Sequence, residues 1–335
     1  MTHYEIQLII ASIQGKANIN MITVVVTGAS GYIGGHIALR LKDSGYDVVG
    51  IDKRPCPSHL SETFTKFVKA DIADDYGLSA IINVQPRAII HCAGTSLVGP
   101  SVKDPAEYYD NNVVKTLKLL NVVRKSMPKC KFIFSSSAAV YGEHSESPLT
   151  ELSLCNPISP YGESKRMIEQ VMESYNHAYN MDCVSFRYFN ACGADYKTRH
   201  GQEPGATHII ARVLESIRDD KEFTLYGNDY PTKDGTCVRD YVHVQDIADA
   251  HVLALYMKCP PGIYNLGSNQ GTSNLEIISA AERITGKKLK LTVGPKRNGD
   301  PPTLTASANK YITIGWRKNF NLDDMIQHVW RWYNK

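Results

Sequence analysis

Short, unbroken apolar runs alternate with stretches of helical periodicity through the first half of the chain. Residues 22–27 read as a buried strand, residues 33–42 as a helix, and residues 47–51 as the next strand. Runs at 66–68, 87–91 and 131–135 continue the series, with helical stretches between them at 78–83 and 105–125. A further helix follows at 160–179 and a further strand at 183–187. Strands that show no polar alternation, separated by helices, predict a parallel sheet covered on both faces. That is the α/β class, in its Rossmann-type doubly wound form.

The pattern loosens after about residue 190, where Gly, Pro and polar residues crowd 193–205 and 227–235. Helices are expected again at 207–219 and 246–258. Another starts after Ser273, which with Glu276 fits a capping box, and a last one covers 322–334. The expected organisation is a Rossmann domain over 21–190, to which 236–262 returns. A smaller mixed α/β substrate domain would be formed by 191–235 and 263–335. Residues 1–20 carry neither the basic region nor the cleavage site of a secretory signal. They are read as a loosely ordered leader, so a chain starting at Met21 should keep full stability and activity.

Composition narrows the function classes. The 335 residues carry 37 basic and 34 acidic side chains, too even a balance for a nucleic-acid coat or a membrane-surface binder. No apolar run approaches the roughly 20 residues of a membrane span. The eight cysteines are scattered, with no Cys-x-x-Cys pair. No metal site is therefore expected, and free thiols suit a reducing, cytoplasmic setting.

The first strand runs into Gly28, Gly31 and Gly34 and then into a helix. A pyrophosphate held there must approach the backbone amides, and the helix dipole favours its charge. The spacing is Gly-x-x-Gly-x-x-Gly, and it gains weight from the strand–loop–helix order around it. Asp52 closes the second strand, 24 positions after Gly28. A carboxylate in that place accepts from both ribose hydroxyls of NAD and repels a 2′-phosphate, although Lys53 and Arg54 beside it would soften that repulsion.

Tyr161 and Lys165 are four apart on a predicted helix and share a face. Ser159 and Pro160 fit its cap and first positions. Of the 19 tyrosines, only Tyr161 has a lysine four residues later. An adjacent ammonium is expected to lower the phenol's pKa from about 10. The strand at 131–134 delivers Ser135, Ser136 and Ser137 to the sheet's carboxyl edge. A hydroxyl there can bridge a substrate oxygen and the tyrosine.

With these parts in place the chain resembles an extended short-chain dehydrogenase/reductase, and more narrowly the UDP-glucose 4-epimerase family. The resemblance runs from about Met21 to the C-terminus. It rests on the glycine loop at 28–34, YYDNN at 108–112, SSSAAVYG at 135–142 and YGESK at 161–165. RYFN at 187–190, YGNDY at 226–230 and DGTCVRDYVHV at 234–244 complete it.

The resemblance implies an isomerase that inverts C4 of a UDP-hexose, UDP-glucose or UDP-galactose, with NAD as cofactor. Tyr161 would be base and acid, Lys165 would hold the nicotinamide ribose, and Ser137 would orient the sugar. Gly28, Gly31, Tyr32, Ile33, Gly34, Asp52, Lys53, Asp71 and Ile72 would line the adenosine and phosphate end of the NAD site. Cys92, Ala93, Gly94, Asn112, Ser135 and Tyr188 would line the rest. Asn190, His208, Tyr226, Arg239, Arg297, Asp300 and Leu304 would contact the UDP-sugar. The arginines suit a diphosphate, because guanidinium pairs with phosphate through two bonds. The hydroxyl proton would leave to Tyr161 as hydride leaves C4. The 4-keto sugar would then turn over, and hydride would return to its other face. Members of the family commonly form homodimers through two helices, for which 105–125 and 160–179 are candidates.

Four positions depart from the family pattern. Ser96 stands where a lysine near NAD is common, and Lys53 replaces an asparagine. His208 replaces an asparagine near the nucleotide sugar. Leu304 falls where a tyrosine often walls the hexose pocket, and a smaller residue there would admit the N-acetyl group of UDP-GlcNAc. UDP-N-acetylglucosamine 4-epimerisation is the alternative this leaves. A nucleotide-sugar 4,6-dehydratase would need Asp-Glu after the catalytic hydroxyl, where this chain has Ala138 and Ala139. A non-enzymatic NAD sensor would have no use for the Tyr–Lys pair.

Overall fold

The computed structural model describes residues 22–144, 147–256, 259–296 and 301–335. The expectation for residues 1–20 lies outside them, as do Arg297 and Asp300.

The apolar runs become strands because most of their central side chains are buried, although Lys66 and Lys69 at the ends of the third strand stay exposed. They are β1 (Thr23–Thr27), β2 (Asp47–Asp52), β3 (Lys66–Lys69), β4 (Ala88–His91), β5 (Lys131–Ser137) and β6 (Cys183–Tyr188). The chain continues through β7 (Asn190–Cys192), β8 (Glu222–Tyr226), β9 (Val238–His243) and β10 (Gly262–Leu266). It ends with β11 (Gly271–Ser273), β12 (Lys290–Gly294) and β13 (Thr303–Leu304). Seven strands form one sheet in the order β3-β2-β1-β4-β5-β6-β10. Every neighbouring pair is parallel, so the expected doubly wound sheet is present. The strand order reverses between β1 and β4, and ligands bind at such a switch point, beyond the carboxyl ends of the strands.

One face of the sheet is covered by the Tyr32–Asp43 and Val244–Tyr256 helices, whose Ile37, Leu41 and Ile247 pack with Val24, Ile90 and Phe186. Helices Asp75–Val84, Lys115–Ser126 and Pro160–Tyr179 cover the other, where Ile81, Leu119 and Ile168 meet Val25, Ile89 and Phe134. A separate core joins helices Ile209–Arg218, Asn274–Thr285 and Leu322–Tyr333 to β8 and β9 through Leu214, Ile277, Ile326 and Tyr241. Burying side chains of this size contributes roughly 1.5–3 kcal/mol each before chain entropy is counted.

Two caps form as the sequence implies. The Ser159 hydroxyl accepts from the Gly162 amide with Pro160 in the first turn, and Ser273 and Glu276 form a capping box. One expectation fails. The stretch 105–125 is not one helix but Pro105–Tyr109, a π turn over Asp110–Val114, and Lys115–Ser126. Within that turn Asn112 is drawn inside, where its amide nitrogen donates to Thr95 O and Ser164 Oγ, both at 3.0 Å.

Candidate active site

The loop after β1 is shaped by what glycine lacks. Gly28 sits at φ +69°, and a Cβ there would lie 2.7 Å from the Ala93 backbone nitrogen. A Cβ on Gly34 would lie 2.3 Å from the Gly28 carbonyl oxygen. The helix that begins at Tyr32 has no side-chain cap at Gly31, which leaves its first amides for an anion. The Asp52 carboxylate closes the cradle by accepting from the Ser30 amide at 3.0 Å. It also accepts from the Arg54 amide at 2.9 Å, and the Arg54 guanidinium folds back onto it at 3.3 Å. An uncapped helix start, a backbone with no room for side chains and a buried strand-end carboxylate fit the pyrophosphate and ribose of NAD.

Further along the crevice, Cys92, Ala93 and Gly94 follow β4. Asn112 fastens this loop by accepting from the Thr95 amide at 2.8 Å. Asn112 therefore has its side chain committed to protein groups, and it ties the loop to Ser164 on the Tyr–Lys helix. Asp71 is likewise engaged, accepting from Lys115 Nζ at 2.9 Å and from the Ala73 amide at 3.0 Å. Burial raises its pKa, but the Lys115 ammonium and the Ala73 amide outweigh that and hold it below the usual value. Ile72 is buried beside it, while Lys53 is exposed.

The serine strand end and the Tyr–Lys helix meet at the crevice floor. Lys165 is 5% exposed, and its Nζ donates to the Ser135 carbonyl at 2.8 Å. It lies over the Phe134 ring, 4.7 Å from the centroid, and 5.8 Å from the centroid of Tyr161. Desolvation lowers the Lys165 pKa to about 8 against the upward pull of Cys92 and Glu169. Tyr161 differs from expectation, because burial raises its phenol above the ordinary value. The group that pulls it down is the Ser137 hydroxyl, through a hydrogen bond, not the lysine. Lys165 reaches past the phenol to the backbone of β5, so the protein alone holds Tyr161 protonated. A positive charge beside the phenol is still needed to make it a base near neutrality.

Behind this group runs a chain of hydroxyls that the sequence did not signal. His251 Nδ1 lies 2.8 Å from the Ile247 carbonyl, and a carbonyl can only accept, so Nδ1 carries the proton. Burial lowers the His251 pKa to about 4, so Nε2 is an unprotonated acceptor. It receives the Tyr188 hydroxyl at 2.9 Å, and the Tyr188 oxygen in turn lies 2.9 Å from Ser135 Oγ. Ser135 Oγ also sits 3.1 Å from the Cys92 thiol, which burial pushes up to about 11.

Of the candidates for the nucleotide sugar, Asn190, Arg239 and Leu304 lie on or beside β9. Asn190 on β7 pairs with Tyr241, and its amide donates to the Asp240 carbonyl at 2.8 Å. Leu304 on β13 lies opposite Arg239 in the register. Tyr226 ends β8, next to Gly294 of β12. His208 precedes the Ile209–Arg218 helix without capping it through its side chain, and burial lowers its pKa. Among the described residues no group of His, Cys, Asp or Glu side chains is placed to hold a metal. Nor is any helix there long and apolar enough to cross a membrane.

Residues 24–267 match the NAD dependent epimerase/dehydratase family. The chain belongs to this family. A UDP-glucose 4-epimerase of Lactobacillus helveticus is 42% identical over 319 residues, which cover 92% of this chain and 96% of that protein. The crystal structure of UDP-glucose 4-epimerase from Brucella ovis in complex with NAD has a TM-score of 0.88 at 37% identity. The alignment covers 92% of this epimerase-family chain and 97% of that one. The epimerase of Bifidobacterium longum in complex with NAD+ and UDP has a TM-score of 0.85 at 35% identity, covering 93% and 98%.

Proposed function

We propose that this member of the epimerase family interconverts the C4 epimers of a UDP-hexose, UDP-glucose and UDP-galactose, using NAD that it keeps between turnovers. The observation that carries the reading is the meeting of Ser137, Tyr161 and Lys165 at the carboxyl edge of a sheet whose first loop is built for a pyrophosphate. NAD, when bound, supplies the acceptor and the donor of the C4 hydride and a positive charge beside the phenol. The chain's own residues do the rest. Ser137 orients the C4 oxygen and the phenol toward one another, and Tyr161 takes and returns the hydroxyl proton. Lys165, held by the Ser135 carbonyl, presents its ammonium to the ribose. Asn190, Arg239 and Tyr226 hold the nucleotide, so that the released sugar turns while the diphosphate stays fixed.

The exposed apolar side chains of Val114, in the 105–125 stretch, and Met167, on the Pro160–Tyr179 helix, support a homodimer through these two stretches. Light scattering would then give twice the chain mass. Eight free cysteines support a reducing, cytoplasmic setting.

Tyr161→Phe tests the reaction. Turnover of UDP-glucose should fall by about a thousandfold or more, as expected when a general acid–base group is lost, while bound NAD and UDP affinity stay as in the wild type. Undiminished turnover would refute the assignment.

A further inference from the structure

Eight residues after Tyr161 and four after Lys165, the same helix buries a carboxylate that the reaction as described does not use. Glu169 is fully buried, and so is its partner Arg187 on β6. Arg187 Nε donates to one carboxylate oxygen at 2.9 Å and its Nη2 to the other at 2.7 Å. Arg166 Nη1 adds a bond to the second oxygen at 3.2 Å. The first oxygen also accepts the Ser136 hydroxyl at 2.6 Å. Ser136 stands opposite Arg187 in the β5–β6 register.

Burying two charges is costly, and apolar pairs of similar volume often serve stability as well or better. A purely structural account therefore explains the pair poorly. Its placement explains it well. Ser136 lies between Ser135, whose carbonyl holds Lys165, and Ser137, whose hydroxyl meets Tyr161. One carboxylate thus grips the middle of the triple serine, the neighbouring strand and the helix that carries both reacting side chains. On β6 the Arg187 guanidinium also lies over the Tyr141 ring, 4.7 Å from its centroid, which extends the grip to the turn after Ser137.

We propose that Glu169 is a positioning residue: through Ser136 and Arg187 it holds strand β5 and the Pro160–Tyr179 helix at the offset where Ser137, Tyr161 and Lys165 converge. The inference rests on the reaction assigned above. It deepens that reading by naming what keeps the reacting groups together.

The test replaces the pair with apolar residues, Glu169→Leu with Arg187→Met, alongside Ser136→Ala, which removes only the link to the strand. Displacing reacting groups by about an ångström costs up to a hundredfold in rate. The double variant should therefore lose at least about tenfold in kcat, and Ser136→Ala about threefold or more. KM for UDP-glucose, bound NAD and Tm should stay near wild type. Wild-type kcat in a folded double variant overturns the proposal, as does a loss confined to KM. If the double variant does not fold, Ser136→Ala decides alone, and unchanged kcat there overturns it. Tyr161→Phe assayed in parallel separates the two claims. An active Tyr161→Phe sinks the reaction assignment, whereas an inactive Tyr161→Phe beside a fully active double variant sinks only the positioning role.

Discussion

Acidification from about pH 7 to about pH 5 should remove at least about 4 kcal/mol of folding stability, the net effect of two opposed sets of buried groups, with His243, which burial also holds well below its ordinary value, adding to the loss. Burial holds His36 at about 4, His91 at about 3, His200 at about 2 and His251 at about 4. An unfolded histidine takes its proton near 6.5. Above that value both states are neutral and nothing is gained or lost. Below it the unfolded chain binds protons that the fold refuses, so stability falls with pH until each folded pKa is reached. At pH 5 each histidine has lost about 2 kcal/mol, or about 8 together. Asp240 and Asp246 act in the other direction. Burial raises them to about 6 and about 7. The fold therefore binds their protons before the unfolded chain does and gains about 4 kcal/mol by pH 5. The remainder is a large part of the 5–15 kcal/mol typical of a folded domain. Urea unfolding at the two pH values, followed by circular dichroism, measures the difference. A midpoint at pH 5 equal to or above that at pH 7 would refute the reasoning.

Two further outcomes follow from named contacts. Gly28→Ala puts a methyl against the Ala93 backbone at positive φ. It should cost about 1–3 kcal/mol and lower the NAD carried by the purified protein, read from cofactor absorbance after denaturation. Leu304→Tyr narrows the end of β13 beside Arg239. Activity on UDP-GlcNAc should fall at least about tenfold relative to UDP-glucose, and an unchanged ratio would remove Leu304 from the sugar pocket.

The sheet was legible where burial on both faces left runs of mostly apolar residues. Strands β1, β2, β4 and β6 lie within a residue or so of the runs that predict them. The later strands were not legible for several reasons, and in β9 and β10, though largely buried, Arg239, Asp240 and Asn265 interrupt the apolar run. β12 is largely exposed, β8 alternates, and β7, β11 and β13 are two or three residues long, too short to establish a period. The π turn at Asp110–Val114 escaped because helical periodicity on either side of it is intact, and only the inward pull on Asn112 breaks the ladder. In the site, the glycines and the Tyr–Lys spacing could be read locally. His251 could not, since its partner Tyr188 lies 63 residues away. Glu169 had a local signal, four residues after Lys165 on the same face, but its meaning depends on Ser136 and Arg187 from other strands.

Strand β9 holds β7, β11 and β13 along its length, and so brings Asn190 and Leu304 to the strand that carries Arg239. Segments that share one rail can lengthen or shorten between their attachment points without moving those attachments. The intervening loops are then free to change while the strands paired with β9 keep their places. A shift of the rail itself would disturb all three pairings at once.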